Sequence, residues 1–369
     1  MKIVEWLIVF CLFTSLLPAQ NGEIRAAYGD VPPAELKMKF YTPDSTAEAV
    51  VLYEEAHVFF DADHYGLKII FKYFGRYKIL RKSGTDRGII KLPVYKGPPG
   101  EEEFISKLEG CTYNIEDGKI VSTKLTKDGI FHEQVMGKHH QEKISMPNLK
   151  EGSVFEYRYT KETPFSVRDT PETWYFQTSI PMQWCELNLH IPVNLNYLIL
   201  KRGYIPIHTN TSEASRMVMG SLETGGVNYH IAVKHAPAFK DEPFITSTED
   251  CISKIDFELS SIRYSDKSTK SFTNTWDDLV STLLKTDHYT ETPKKTAYLQ
   301  PIAELIKLEK DTMQQLKKAL ELVAANIEWD HHSTVFARED SKKVFELRKG
   351  NVTEINLMLI SLLKQIGLK

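Results

Sequence analysis

A change of hydrophobic period divides this chain and limits the folds open to it. From about Ala47 to Asp266 the apolar residues fall in short runs typical of strands, and after Ser271 they recur at helical spacing. The strand-like runs include Val50-Val51-Leu52, His57 to Phe60, Tyr77 to Leu80, Val154 to Tyr159, Leu187 to Ile191 and Tyr229 to Val233. Asp117-Gly118 lies between two of them, a strong hairpin signal because both turn positions need positive φ. Many short strands at modest spacing predict a β-sandwich or two related sheets. One helix is expected inside this region, from Glu101 to Leu108 after Pro98-Pro99-Gly100, with Glu101-Glu102-Glu103 suiting the dipole of its first turn.

Beyond Ser271, Trp276, Leu279, Val280, Leu283 and Leu284 mark one face of a helix. A polar linker follows, Thr286 to Thr296, then a helix with Ile302, Leu305, Ile306 and Leu308. Met313, Leu316, Leu320, Val323 and Ile327 mark a longer one, capped by Asp311. Asp340 caps a short helix ending before Gly350. Asn351 caps the last, with Glu354 placed as a capping-box acid, Ile355, Leu359, Leu362, Leu363 and Ile366 on its apolar face and Gly367 at its stop. The fold class is therefore mainly β with a C-terminal α segment.

The first twenty residues stand apart. Lys2, an apolar run from Leu7 to Leu17, and Pro18-Ala19-Gln20 before Asn21 predict a secretory signal peptide cleaved near Ala19 or Gln20. The organisation expected is a signal peptide (1–20), a β-rich domain (21–270) and a helical segment (271–369). The mature chain is then exported to the periplasm, cell envelope or exterior, with no later apolar stretch long enough to span a bilayer. Lys and Arg total 46 against 49 Asp and Glu, a net charge of -3, so no bulk field attracts nucleic acid.

Of the 4 cysteines, Cys11 leaves with the signal. Cys111, Cys185 and Cys251 are either one disulfide plus a free thiol or, the favoured reading, three small buried hydrophobes. The adjacent pairs His139-His140 and His331-His332 diverge on regular elements, and no His-Glu-x-x-His spacing occurs, so no metal site is expected. No Gly-x-Gly-x-x-Gly, Walker loop or Gly-x-Ser-x-Gly elbow points to a cofactor or a serine hydrolase. Trp174, Tyr175, Phe176 and Trp184 read as core rather than as a sugar-stacking platform.

Val323 to Asp330, then Lys349-Gly350-Asn351-Val352-Thr353-Glu354-Ile355-Asn356-Leu357, then Leu362 to Leu368 together resemble the start of a transglutaminase-like, papain-related domain. The phrases Tyr77 to Leu80, Tyr113 to Ile120, Met146 to Tyr157, Trp174 to Gln177 and Ile180-Pro181 resemble the β-rich domain of unknown function that precedes it in many secreted proteins of Gram-negative bacteria. The resemblance implies a nucleophilic Cys opening a helix after the Gly-Asn turn, where unpaired N–H groups lower a thiol pKa. It also implies a His and an Asp supplied later from a sheet. Here Val352 stands at the nucleophile position, so Gly350, Asn351 and Val352 form a degenerate motif and no catalytic residue carries over. Asn356, mid-helix, is expected in a buried hydrogen bond. The chain then reads as an exported non-catalytic protein that binds an unknown protein or glycan partner. Its alternatives are the non-catalytic N-terminal portion of a larger cysteine peptidase or transglutaminase-like enzyme, and a carbohydrate-binding or adhesion module.

Overall fold

The computed structural model describes residues 23–166, 170–240, 247–272, 275–285, 289 and 296–368. The expected signal segment with Cys11, and most of the expected linker from Thr286 to Thr296, lie outside them. The chain divides into two compact units, Met1–Phe272 and Thr273–Lys369.

The first unit is built from β1 (Ala49–Asp63), β2 (Gly66–Ile79), β3 (Ile89–Tyr95), β4 (Phe104–Glu116), β5 (Lys119–Lys124), β6 (Ile130–Met136), β7 (His139–Ser145), β8 (Val154–Pro164), β9 (Trp174–Tyr175), β10 (Met182–Pro192), β11 (Leu195–Arg202), β12 (Thr209–Met219), β13 (Leu222–Ala236), β14 (Lys254–Arg263) and β15 (Thr269–Ser271), with short helices α1 (Pro33–Lys37) and α2 (Thr248–Cys251). Eight strands form one sheet in the order β12-β13-β10-β1-β2-β8-β4-β5. Its pairs are antiparallel except β1 with β10. β3-β7-β6 make a second sheet, and β11-β14-β15, with β9 on β14, a third.

One core joins all three. Phe71, Tyr73, Phe155 and Leu187 of the large sheet share it with Leu92 and Ile144 of the second sheet and Ile255 and Phe257 of the third. The opposite face of the large sheet is partly covered by the N-terminal segment. Leu36, Tyr41 and Ala47 pack on Val50, Leu52 and Val154, while Ile24, Ala26 and Tyr28 pack on Tyr53, Phe74 and Trp184. A bulge between Val51 and Tyr53 makes this possible, because the extra residue lets both Leu52 and Tyr53 face that segment. The segment is pinned by buried charge. Arg76 donates to Glu156 and to Ala27 O, and Lys78 Nζ donates to Leu36 O and Gly152 O at 2.7 and 2.6 Å. Burial pushes the Lys78 ammonium down to about 8, although Glu35 opposes the shift.

The Asp117-Gly118 hairpin forms between β4 and β5, with φ of 48 and 76° at the two turn residues. The helix expected from Glu101 to Leu108 is absent. Its second half is β4, paired with β8 from Phe104↔Glu162 onward. Tertiary pairing overrides the local signal, and the acidic run serves elsewhere. Glu103 accepts from Tyr95 N, Thr163 Oγ1 and Lys161 Nζ.

The second unit holds α3 (Trp276–Leu284), α4 (Gln300–Lys307), α5 (Thr312–Asn326), β16 (Glu328–Trp329), α6 (Ser341–Leu347), β17 (Lys349–Gly350) and α7 (Val352–Gln365). Asp311 and Asp340 cap their helices as expected, accepting from Gln314 N and Lys342 N. Ala303, Ile306, Ala319, Val323, Val344, Met358 and Leu362 form the core. Trp276, Val280 and Leu284, three of the residues expected on the apolar face of α3, are exposed. Among the described residues no helix is long and apolar enough to cross a membrane.

Candidate functional site

The outer face of the large sheet carries an open groove, and strand register explains its contents. Alternation sends Glu55 and His57 outward while Ala56 and Val58 enter the core. Across the sheet, His57 pairs with Lys72, and Lys72 with Thr160; one row on, Glu55 pairs with Phe74, and Phe74 with Arg158. On the other side His57 pairs with Asn188, and Asn188 with His230. Cross-strand neighbours of this kind sit about 5 Å apart on one face.

At the centre two carboxylates, Glu55 and Glu186, are register partners on β1 and β10. Tyr53 Oη lies 3.0 Å from Glu55 Oε2 and 3.1 Å from Glu186 Oε1. Trp184 Nε1 donates to Glu186 Oε2 at 2.7 Å, and Asn188 Nδ2 to its Oε1 at 3.3 Å. His57 Nε2 lies 3.3 Å from Glu55 and His230 Nε2 lies 3.4 Å from Glu186. Burial pushes the Glu55 carboxyl up, but the hydrogen bond and charge of His57 and the hydrogen bond from Tyr53 outweigh it and hold the group below the usual carboxylate range. Burial, with both carboxylates alongside, pushes the Tyr53 phenol up, so it stays a donor.

Glu54, one residue earlier, points into the core. Tyr73 Oη and Tyr77 Oη donate to its Oε1 at 2.6 and 3.2 Å, and Cys185 Sγ lies 3.7 Å from its Oε2. Glu54 keeps some accessible surface, yet rings enclose it: Tyr73 and Tyr157 stand 5.0 Å apart, and Tyr77 stacks on Phe155 at 4.9 Å. Burial raises the carboxyl pKa further than the hydrogen bonds from Tyr73, Tyr77 and Cys185 lower it. A carboxyl raised on folding contributes full stability below its ordinary value of 4.5 and loses it as pH rises through the folded value. Glu54→Gln keeps an acceptor for Tyr73 without a titrating charge. Urea midpoints should therefore shift in favour of the Gln variant as pH rises above 4.5, and a pH-independent difference would refute this.

The motif expected to mark a degenerate active site lies in the second unit. Gly350 has a packing reason, since a Cβ there would stand 2.8 Å from Val344 Cγ1. Asn351 is buried and caps α7, accepting from Glu354 N at 2.9 Å and donating to Phe336 O at 3.1 Å. The Glu354 carboxylate completes the capping box on Asn351 N and also accepts from Arg338 N and Glu339 N. Both side chains are thus consumed by structure. Val352 begins the helix, its side chain partly exposed and its N–H bonded to His332 O at 3.2 Å. Asn356 corrects expectation: it is exposed and donates to Val352 O four residues back.

Cys111, Cys185 and Cys251 are all unpaired, the first two buried and Cys251 half-buried. Burial, reinforced by Glu54, pushes the Cys185 thiol well up, which makes it a poor nucleophile. Trp174, Phe176 and Trp184 are core, and Tyr175 is half-buried. His132 pairs with Glu142, and His332 with Asp330. Among the described residues no three His, Cys, Asp or Glu side chains converge as ion ligands. Sequence reasoning missed Glu54, Glu55, His57, Glu186 and His230. Their one signal was position, as polar residues inside apolar strand runs.

No family model matches the chain, and no curated protein matches it. A solved structure from Parabacteroides distasonis, provisionally named a protease, matches with a TM-score of 0.59 at 14% identity, covering 87% of this chain and 59% of that one. An M1 zinc metallopeptidase from Deinococcus radiodurans aligns at 9% identity over 54% of this chain and 45% of its own, with a TM-score of 0.24. Legionella pneumophila aminopeptidase A aligns at 10% identity over 52% of this chain and 22% of its own, with a TM-score of 0.26. Overlaps that low carry no argument. This chain thus spans about three fifths of the Parabacteroides structure, and what the two share is the fold.

Proposed function

We propose that this chain is an exported, non-catalytic binding protein. Its strand-rich unit acts as a β-sandwich-like module that holds a protein or glycan partner, and its helical unit is a degenerate transglutaminase-like remnant. The observation that carries the reading is Val352 at the start of α7. A helix N-terminus favours a thiolate, but valine offers no nucleophilic atom, and Asn351 and Glu354 are occupied with capping. The deeply buried Cys185 thiol supplies no substitute.

Assays of the purified chain for thiol-dependent peptide hydrolysis and for acyl transfer from glutamine to amines test this. The expected result is no turnover above a heat-denatured control. Turnover abolished by iodoacetamide would overturn the reading.

A second reading is the non-catalytic N-terminal portion of a larger cysteine peptidase or transglutaminase-like enzyme. One observation favours it: the structure that shares this fold is longer, and only 59% of it is matched.

A further inference from the structure

One end of the outer groove gathers positive charge. It lies beside Tyr28, has a volume of about 420 Å³, and is lined by His57, Lys72, Lys107, Arg158 and Thr160. Register accounts for most of that set, since His57, Lys72 and Thr160 form one cross-strand row. Lys107 arrives differently. The β4–β8 pairing slips between Ser106 and Glu109, and within that bulge Lys107 takes a left-handed φ of 52°, uncommon for a residue with a Cβ. The irregularity brings a lysine into the groove from a fourth strand. Held outliers of this kind cost energy and concentrate at binding sites.

Arg158 is held in place by a carboxylate. Arg158 donates through Nε and Nη2 to Glu109 Oε2 at 3.2 and 2.8 Å, and its guanidinium lies 4.3 Å from the centre of the Tyr28 ring. Lys72 Nζ lies 4.8 Å from the centre of the Phe59 ring, which steadies the ammonium and leaves its hydrogens free to donate. Neither Lys72 nor Lys107 forms an ion pair among the described residues. Two carboxylates line this end with them, Glu109 on Arg158 and Glu55 between Tyr53 and His57, while Glu186 lies one strand further on. Three permanent cations against two carboxylates leave an excess of one positive charge before His57 is counted.

We propose that this end of the groove binds a small ligand through a carboxylate or phosphate group, with Lys72 and Lys107 donating to its oxygens and Arg158 fixed beside them. The proposal deepens the binding reading above. A competing account of Lys107 is edge protection: β5 pairs only with Cys111 to Glu116, so β4 before Gly110 is locally an edge, where a bulge and a lysine discourage association.

Isothermal titration of the full chain with inorganic phosphate and, separately, with digalacturonate tests the proposal and tells the two sources of anion apart. At least one probe should bind saturably, more weakly as salt is raised. Lys72→Ala/Lys107→Ala should weaken binding at least about tenfold, since each loses a charge-assisted hydrogen bond. Lys119→Ala/Lys127→Ala, whose lysines lie outside the groove, should not change it. The proposal is overturned if neither probe binds, if the groove variant binds like the parent, or if that variant only aggregates more with affinity intact, as edge protection requires. Catalytic turnover would refute the non-catalytic reading without touching this one, because the readout here is affinity.

Discussion

Replacing Glu156 with Gln should destabilise the strand-rich unit by about 3–5 kcal/mol, the usual cost of stranding one member of a buried ion pair. The Arg76 side chain is 1% exposed and that of Glu156 is 0% exposed, with Nη2 3.1 Å from Oε2. Glu156 also accepts from Gly29 N at 2.6 Å and Tyr113 Oη at 2.8 Å, so its charge fixes the N-terminal segment as well as Arg76. A neutral amide leaves the guanidinium with Glu35, 3.4 Å away, as its charged partner, and burial already pushes that carboxyl up more than Arg76 lowers it. Urea denaturation of the full chain gives the number. Arg76→Met/Glu156→Leu should recover much of the loss, because apolar replacement of both partners removes the uncompensated charge. A single-variant cost under about 1 kcal/mol would mean that water reaches Arg76 and that the segment is not sealed.

The same residues show where the sequence stopped being legible. Strands are written locally, so Val154 to Tyr159 and the Asp117-Gly118 turn could be read directly. Arg76, Lys78 and Glu156 sit at alternating strand positions that look solvent-facing, and nothing local says that residues 23–47 cover them. The Glu101–Leu108 error has the same origin. Pro-Pro-Gly followed by three acids is a fair helix start, but ladder bonds to β8, about sixty positions away in sequence, outweigh it. In the second unit most of the end signals are local, and Asp311, Asp340, Asn351 and Glu354 cap as their types predict. Asn356 was misread because a mid-helix asparagine can satisfy itself on its own i−4 carbonyl, with no buried partner. The groove was invisible for a topological reason. His57, Lys72, Arg158, Asn188 and His230 come from five strands that meet only through register.

Trp184→Ala should cost about 3–5 kcal/mol, the range for emptying an aromatic core site. Trp184 is 0% exposed and packs with Tyr53, Phe74 and Ala232 beneath Ile24, Ala26 and Tyr28. The substitution removes more than volume: the indole N–H holds Glu186 Oε2 at 2.7 Å, and its loss weakens one of the bonds that fix the paired carboxylates. Trp184→Phe separates the two effects. It refills most of the cavity but restores no donor, so stability should largely return while Glu186 stays less firmly held, which a change in the NMR chemical shifts of the His230 ring beside it would register. This bears on the glycan reading. Loss of sugar binding in Trp184→Ala would be ambiguous, because the variant is expected to unfold far more readily than its parent. Evidence for a sugar site has to come from groove residues such as Lys72, which are exposed and whose removal spares the core. A Trp184→Ala chain as stable as its parent would contradict the packing described and return that ring to the candidate binding surface.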